Sequence, residues 1–143
     1  MRISEALSLT YGSLQLDARV ISVHTLKRRD DNVIREIPIP QPLMDVLAEV
    51  RGAEDTGLWI RDGRPVSRAN AYRWIKRIMD VADIYGPRAC PKGLRHAYGV
   101  HATLSGVQLH MLQRWMGHAS METTAIYATV LGPDQITVAE RMW

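Results

Sequence analysis

The sequence has very little of what builds covalent cross-links, since Cys90 is its only cysteine. A single thiol excludes an internal disulfide and any cysteine-rich zinc site, and it suits a reducing compartment. No apolar run approaches the roughly 18 residues that a membrane span needs. The opening residues, Met1–Glu5, lack the apolar stretch of a secretory signal. We therefore expect a cytoplasmic protein.

Several familiar enzyme signatures are also missing. The glycines form neither a phosphate-binding loop nor a dinucleotide fingerprint. The sequence has no Gly-x-Ser-x-Gly elbow for a serine nucleophile. None of the five histidines has the His-Glu-x-x-His spacing of a zinc enzyme. We therefore expect no bound metal and no nucleotide cofactor.

What the chain does have is the composition of one folded domain. Its 143 residues are 46% hydrophobic and 23% charged, and both values are ordinary for a soluble globular protein. A chain of this length buries roughly two thirds of its unfolded surface. Such a chain can form a hydrophobic core without disulfides or bound metal ions, so disorder is excluded as its dominant state.

The positive charge is concentrated in one stretch of the chain. Nine basic residues and three acidic residues lie between Arg61 and Arg95, which gives this stretch +6 against +3 for the whole sequence. Such asymmetry favours a polyanionic partner, nucleic acid above all. A solvated helix face explains the same charges equally well at this point.

Hydrophobic periodicity predicts an α+β fold that is mainly helical, with a small antiparallel sheet near the N-terminus. The predicted strands cover 14–16, 20–26 and 33–39, and the last two form a hairpin with basic residues near its tip: Lys27, Arg28, Arg29 and Arg35. The predicted helices cover 3–10, 43–52, 67–83, 94–104, 107–116 and 121–130, with a short last helix from Pro133.

Caps and breakers set several of these boundaries. Ser67 can cap the helix over 67–83, and Ser120 can cap the helix over 121–130. Gly106 and Gly117 are expected to end the two helices before them. The predicted buried face of the helix over 67–83 consists of Ala71, Ile75, Ile78, Met79 and Ala82.

A few scattered residues are candidates for chemistry, although each has an ordinary structural explanation. Tyr127 can be a core residue, His118 can neutralise a helix dipole, and Arg95 can belong to a buried ion pair. Two patterns favour function instead. Lys92 and Arg95 lie within one helical turn, where two cations call for an anion. Gly117 and His118 precede the helix that carries Tyr127, which brings an imidazole and a phenol into one neighbourhood.

Five segments, in order, resemble the catalytic domain of the tyrosine recombinases, the phage integrase family. They are Arg2–Leu7, Lys27 with Arg35–Ile39, Lys92–Tyr98, Leu112–His118 and Ala125–Tyr127. The resemblance implies cleavage and rejoining of duplex DNA through a 3′-phosphotyrosyl link. In it Tyr127 is the nucleophile, Arg2 and Arg95 bind the phosphate, and Lys27 protonates the leaving group.

The resemblance also implies supporting roles and partners. Lys92 and His118 would add hydrogen bonds to the phosphate, and no cofactor is needed because the link conserves phosphodiester energy. We expect further DNA contacts from six cations: Arg28, Arg29, Arg68, Arg73, Lys76 and Arg77. The implied assembly is a homotetramer on DNA, in the nucleoid of a bacterial cytoplasm, and the gene is expected to belong to a phage or mobile element.

Two departures from the family pattern bear on activity. Lys92 stands where the family has a histidine, so a phosphate donor is kept and a proton shuttle is lost. His96 then corresponds to the second, structural histidine. The residues are also expected to be a partial catalytic domain, without a DNA-clamping domain and first helix. The alternatives are a non-catalytic DNA-binding remnant of the same fold and a helix-turn-helix regulator built from helices 94–104 and 107–116.

Overall fold

The computed structural model describes residues 1–26, 33–50, 52–131 and 140. The chain forms two compact units, Met1–Lys92 and Gly93–Trp143. No helix in the described part of the chain is both long and apolar enough to cross a membrane.

A three-stranded antiparallel sheet organises the first unit. Its strands are β1 (Leu14–Gln15), β2 (Val20–His24) and β3 (Ile34–Pro38), in that order across the sheet. Val23 pairs with Arg35 in the register of the hairpin. The predicted hairpin is therefore confirmed, although each strand is one or two residues shorter than the hydrophobic pattern suggested.

Apolar residues on one face of this sheet form the core of the first unit. Leu9, Ile21, Val23 and Ile39 are buried together, as expected where alternate strand residues share a face. The helices beside the sheet are α1 (Ile3–Leu7) and α2 (Gln41–Ala48). Met44 and Leu47 of α2 pack against the core. This core holds α2 against the hairpin.

A second, smaller hairpin precedes the long helix of the first unit. Its strands, β4 (Ile60–Arg61) and β5 (Arg64–Pro65), were predicted only as a turn at Asp62-Gly63. Both turn residues have positive φ, 52° and 72°, as a tight two-residue hairpin requires. Strands this short leave no periodic signal in the sequence.

The long helix is α3 (Arg68–Val81). Ser67 caps it as predicted, because its hydroxyl accepts a hydrogen bond from the Asn70 backbone N–H at 3.2 Å. The predicted buried face is wrong at two positions. Ile78 is 67% exposed, because the buried stripe follows Ala71 and Met79 and is too narrow to include it. Ala82 is exposed because it lies just beyond the end of the helix.

The second unit is helical. It contains α4 (Pro91–Leu104, which starts at the boundary of the first unit), α5 (Leu109–Met116) and α6 (Glu122–Ala125). Gly106 has φ 81° and Gly117 has φ 65°. These left-handed conformations end α4 and α5 where the sequence predicted. The core of the unit consists of Ala102, Leu112, Met116 and Tyr127.

The last predicted helices need correction. Instead of one helix over 121–130, α6 covers only Glu122–Ala125, and a 3₁₀ helix follows at Ala128–Leu131. Thr124 and Tyr127, three residues apart, are both buried, so the predicted inward side of this segment is kept although the helix is shorter. Ser120 does not take the cap position, although its hydroxyl accepts the Glu122 N–H at 3.1 Å. The helix predicted from Pro133 begins outside the described residues.

Candidate active site

In the first unit, one buried carboxylate holds Arg2. Arg2 is the N-cap of α1. Its backbone N–H donates to Glu5 Oε2 at 2.7 Å, and its Nη1 donates to Glu5 Oε1 at 2.8 Å. Glu5 is completely buried. Both ends of the arginine are therefore tied to one side chain, which limits the positions its guanidinium can take.

Arg35 binds the same carboxylate from the sheet. Its Nη2 donates to Glu5 Oε2 at 2.7 Å, and its Nη1 donates to Thr25 Oγ1 at 2.7 Å. Arg35 is only 4% exposed. Arg35 is the second residue of β3, near the hairpin tip as predicted, but its side chain points inward to an acid. The hairpin and the helix that carries Arg2 are joined through Glu5.

The surroundings of Glu5 keep its carboxylate ionised. Burial raises the pKa of this group, but the hydrogen bond from the Arg2 backbone and the guanidinium groups of Arg35 and Arg2 outweigh that effect. The net pKa lies below its ordinary value. The carboxylate beside Arg2, at the start of α1, is therefore ionised at neutral pH.

Three of the predicted site residues lie outside the described residues: Lys27, Arg28 and Arg29. Their roles stay predictions. The described chain reaches Leu26 on one side and resumes at Val33 on the other. The hairpin strands that carry this segment are anchored by the Arg35–Glu5 ion pair.

In the second unit, α4 carries Arg95. Its Nη2 donates to the backbone carbonyl of Met116 at 2.6 Å. Met116 is the last residue of α5, where helical carbonyls have no partner within the helix. The guanidinium is therefore held against the end of a neighbouring helix. Lys92 lies in the first turn of α4 and is exposed.

Tyr127 lies in a pocket made possible by a glycine. Its side chain is 3% exposed, and its ring lies against Gly99 of α4. A Cβ at position 99 would overlap Cζ of the Tyr127 ring. Only glycine fits this position while the tyrosine occupies the pocket. The structural hypothesis that Tyr127 is a core residue therefore agrees with its burial.

Two histidines flank the phenol ring. The centroid of His96 lies 5.4 Å from that of Tyr127, and the centroid of His118 lies 6.4 Å away with its ring 10° from parallel. The structure therefore brings together the imidazole and the phenol that the spacing of Gly117-His118 and Tyr127 predicted. His96 is exposed on α4.

The pocket alters the acidity of the tyrosine. Burial raises the pKa of the Tyr127 phenol, and the positive charge of Arg95 lowers it by less, so the net pKa lies above the ordinary value of about 10. A phenol in this state is protonated at neutral pH. Nucleophilic use of Tyr127 requires it to leave the pocket or to lose its proton to another group.

Thr124 is a residue of this site that sequence reasoning missed. It is completely buried, and its Oγ1 lies 2.9 Å from His118 Nδ1. The available signal was its position one helical turn before Tyr127. That signal was overlooked because a threonine in a predicted amphipathic helix suggests only core packing.

The cations of α3 differ in exposure. Arg68, Arg73 and Arg77 are exposed, and Lys76 is half-buried. Arg73 donates to the Asn70 side chain. Next to the start of α3, an open cleft of about 650 Å³ is lined by residues that include Arg61, Arg64 and Asn70. The two cleft arginines were not among the predicted DNA contacts. The described residues contain no cluster of three potential metal ligands.

Comparison with known proteins finds likeness over nearly the whole chain. The profile of the phage integrase family matches residues 1–132. Tyrosine recombinase XerA of Thermococcus kodakarensis is 31% identical over 137 residues, which cover 91% of this chain and 46% of that protein. The chain spans about half the length of the curated relatives it matches.

Solved structures share the fold. The crystal structure of XerA recombinase matches 95% of this chain and 52% of its own, with a TM-score of 0.75 and 20% identity. XerH site-specific recombinase, bound to a palindromic difH substrate in a post-cleavage complex, matches 99% and 41%, with a TM-score of 0.74 and 22% identity. The predicted fold class, mainly helical α+β with a small antiparallel sheet, is confirmed.

Proposed function

Because the chain belongs to the phage integrase family, we propose that it is the catalytic part of a tyrosine recombinase that cuts and rejoins duplex DNA at specific sites. The observation that carries this proposal is the group around Tyr127. A buried phenol, two imidazoles and an arginine held against a helix end lie in one unit of the fold. None of these groups needs a metal or a nucleotide cofactor for phosphoryl transfer.

The reaction transfers one phosphodiester bond at a time. The Tyr127 oxygen attacks a DNA phosphorus, the bond from phosphorus to the 5′ oxygen breaks, and a 3′-phosphotyrosyl bond forms. The phenol loses its proton, and the departing 5′ oxygen gains one. A 5′ hydroxyl from another strand then attacks the same phosphorus, which restores the DNA and releases Tyr127. Bond energy is conserved throughout, so no ATP is consumed.

The cations stabilise the charge that develops on the phosphate. Arg2 and Arg95 would bind the non-bridging oxygens, since a guanidinium donates two parallel hydrogen bonds to such a group. The contacts of Arg2 with Glu5 and of Arg95 with the Met116 carbonyl support this role, because they orient both groups before DNA arrives. Lys92 and His118 would donate further hydrogen bonds. Lys27 would protonate the leaving oxygen.

Duplex DNA is the proposed partner. The exposed cations Arg68, Arg73 and Arg77, with Lys76 beside them, support phosphate contacts along α3. Arg28 and Arg29 are proposed to contact DNA beside Lys27. The solved relative XerH is bound to its DNA substrate. We propose that the complete protein acts as a homotetramer on DNA in the nucleoid of a bacterial cytoplasm, and that a phage or mobile element encodes it.

Covalent trapping tests the role of Tyr127. The protein is incubated with nicked duplexes whose flanking sequences are randomised to supply many candidate sites. Because of the nick, cleavage releases a short strand, and the adduct can no longer rejoin the DNA. We expect the wild-type protein to form an adduct that survives denaturation, and Tyr127→Phe to form none, because the variant lacks the attacking oxygen. The adduct is measured on a denaturing gel.

The matched control is Tyr85→Phe, at a tyrosine that is 69% exposed. This variant should form as much adduct as the wild type. An adduct that persists in Tyr127→Phe would eliminate Tyr127 as the nucleophile. DNA binding without an adduct from any variant would instead support a non-catalytic DNA-binding remnant.

A further inference from the structure

The side chain of Thr124 contacts the imidazole beside the nucleophile. Thr124 lies in α6 and is completely buried, whereas its neighbour Thr123 is exposed. The Thr124 hydroxyl oxygen lies 2.9 Å from Nδ1 of His118, within hydrogen-bonding distance. A buried hydroxyl therefore faces one particular nitrogen of a histidine whose ring stacks near Tyr127.

The hydrogen-bond inventory of a hydroxyl indicates which way this bond runs. A threonine has one proton to donate, and a buried proton without an acceptor costs free energy. In the described part of the chain, the Thr124 hydroxyl contacts His118 Nδ1. Donation from Oγ1 to Nδ1 satisfies the proton. In a neutral imidazole the ring proton is then on Nε2.

We propose that Thr124 is a positioning residue for strand cleavage, because its hydroxyl holds His118 in the form that carries a proton on Nε2. This inference rests on the proposed function. The Nε2–H is the group that would donate to a non-bridging phosphate oxygen. Thr124 therefore decides which nitrogen carries the proton in the neutral ring, whereas a protonated imidazole carries a proton on Nε2 in any case.

The backbone ties the same residue to the nucleophile. The Tyr127 N–H donates to the Thr124 carbonyl at 3.0 Å, while the Thr124 side chain binds His118. The imidazole and the phenol are consequently held by two groups of one residue. Loss of the hydroxyl would leave the backbone link intact and remove only the side-chain link to the imidazole, so the two contributions can be measured separately.

The test compares side chains of nearly equal shape. Thr124→Val removes the hydroxyl and keeps the branched form, and Thr124→Ser keeps the hydroxyl and removes the methyl group. At saturating DNA we expect Thr124→Val to form the covalent adduct about 10- to 100-fold more slowly, by analogy with the loss seen when the hydrogen-bond partner of a metal-binding histidine is removed. DNA affinity should stay within about twofold, and Thr124→Ser should restore most of the rate.

Thr123→Val is the matched control, since it makes the same replacement at the adjacent exposed position. It should cleave like the wild type. If Thr124→Val does not fold, as judged by circular dichroism, Thr124→Ala supplies a second side chain without a hydroxyl. An unchanged cleavage rate in the folded hydroxyl-free variant would overturn the inference, as would a Thr124→Ser variant as slow as Thr124→Val.

Nitrogen-15 NMR of the His118 ring provides a readout that does not depend on DNA. The wild type should show a protonated Nε2 and an unprotonated Nδ1, and Thr124→Val should show a mixture of the two neutral forms. A proton on Nδ1 in the neutral wild-type ring would overturn the inference. A wild type that forms no adduct would overturn the proposed function, while the NMR result would still decide which nitrogen Thr124 controls.

Discussion

At the residue scale, the interactions of Glu5 illustrate how a buried charge is compensated. Its two oxygens accept from the Arg2 backbone, the Arg2 side chain and the Arg35 side chain. Arg35 reaches the acid because it shares the inward face of its strand with Ile37 and Ile39. That alternation is present in the sequence, but a charged residue in an inward position is read as exposed unless its partner is known.

Replacement of Glu5 by glutamine should destabilise the protein by about 3–5 kcal/mol at pH 7, since it leaves the buried Arg35 without a counter-charge. The pKa of Glu5 is lowered in the folded state. Its contribution to the free energy of unfolding is therefore complete above the unfolded pKa of about 4.3 and is lost as the pH falls through the folded value. Urea unfolding at a series of pH values measures the difference, which should shrink in acid.

The control for this prediction is Glu36→Gln, at the adjacent exposed position of β3. It should change the stability by no more than about 0.5 kcal/mol. A Glu5→Gln deficit that stays constant between neutral and acidic pH would contradict the assignment of the effect to the ionised carboxylate.

At the scale of elements, α4 presents one face to the chemistry. Arg95 and Gly99 lie four residues apart and therefore on the same side of the helix. The first is bound to the end of α5, and the second lies under the ring of Tyr127. The Tyr127 ring reaches this position from the turn that follows the short α6.

Gly99→Ala should displace Tyr127 from its pocket. Replacing a mid-helix glycine with alanine normally raises the free energy of unfolding by about 0.5–1 kcal/mol. Here the added methyl group would overlap the ring, and overpacking costs about 1–3 kcal/mol. We expect a net loss of stability and a lower Tyr127 pKa, since the burial that raises it is reduced. Thermal unfolding and an ultraviolet titration of tyrosine, with Tyr127→Phe subtracted, measure the two effects.

A double-mutant cycle isolates the contact. In a Tyr127→Ala background the ring is gone, so Gly99→Ala should be neutral or stabilising. Destabilisation of equal size in both backgrounds would show that the glycine is needed for some reason other than the tyrosine.

At the scale of the whole molecule, charge is distributed unevenly along the chain. The stretch from Arg61 to Arg95 holds half of the 18 basic residues. The described structure exposes most of those in α3 and adds two arginines at the cleft beside it. The three exposed arginines of α3, Arg68, Arg73 and Arg77, are accessible to a DNA phosphate. Arg35, by contrast, is buried in an ion pair with Glu5.

Binding to a short duplex of arbitrary sequence should be weak and should fall steeply with salt, with a log–log slope of about −0.9 for each phosphate neutralised. Replacing both Arg73 and Arg77 with glutamine should make the slope shallower by about two. Fluorescence anisotropy over a salt series measures it. Arg19→Asn, at an exposed residue with φ 56° that asparagine tolerates, should leave the slope unchanged. Tight binding that is flat in salt would contradict the prediction.

The sequence by itself determined the features that depend on neighbours along the chain. The order of the five motifs led to the family, which the match over residues 1–132 confirms. Ser67, Gly106 and Gly117 set helix ends as predicted, because a cap or a left-handed glycine acts within one turn. The antiparallel hairpin followed from alternation and a turn.

Only the tertiary structure decided which side chains meet across the sequence. Glu5 and Arg35 are 30 positions apart, and neither residue's local pattern names the other. Three further features likewise depend on what packs against each position. They are the contact of Tyr127 with Gly99, the hydrogen bond between Thr124 and His118, and the exposure of Ile78. Burial and hydrogen bonding are properties of the surroundings in space, so the residue types alone leave them open until the elements are assembled.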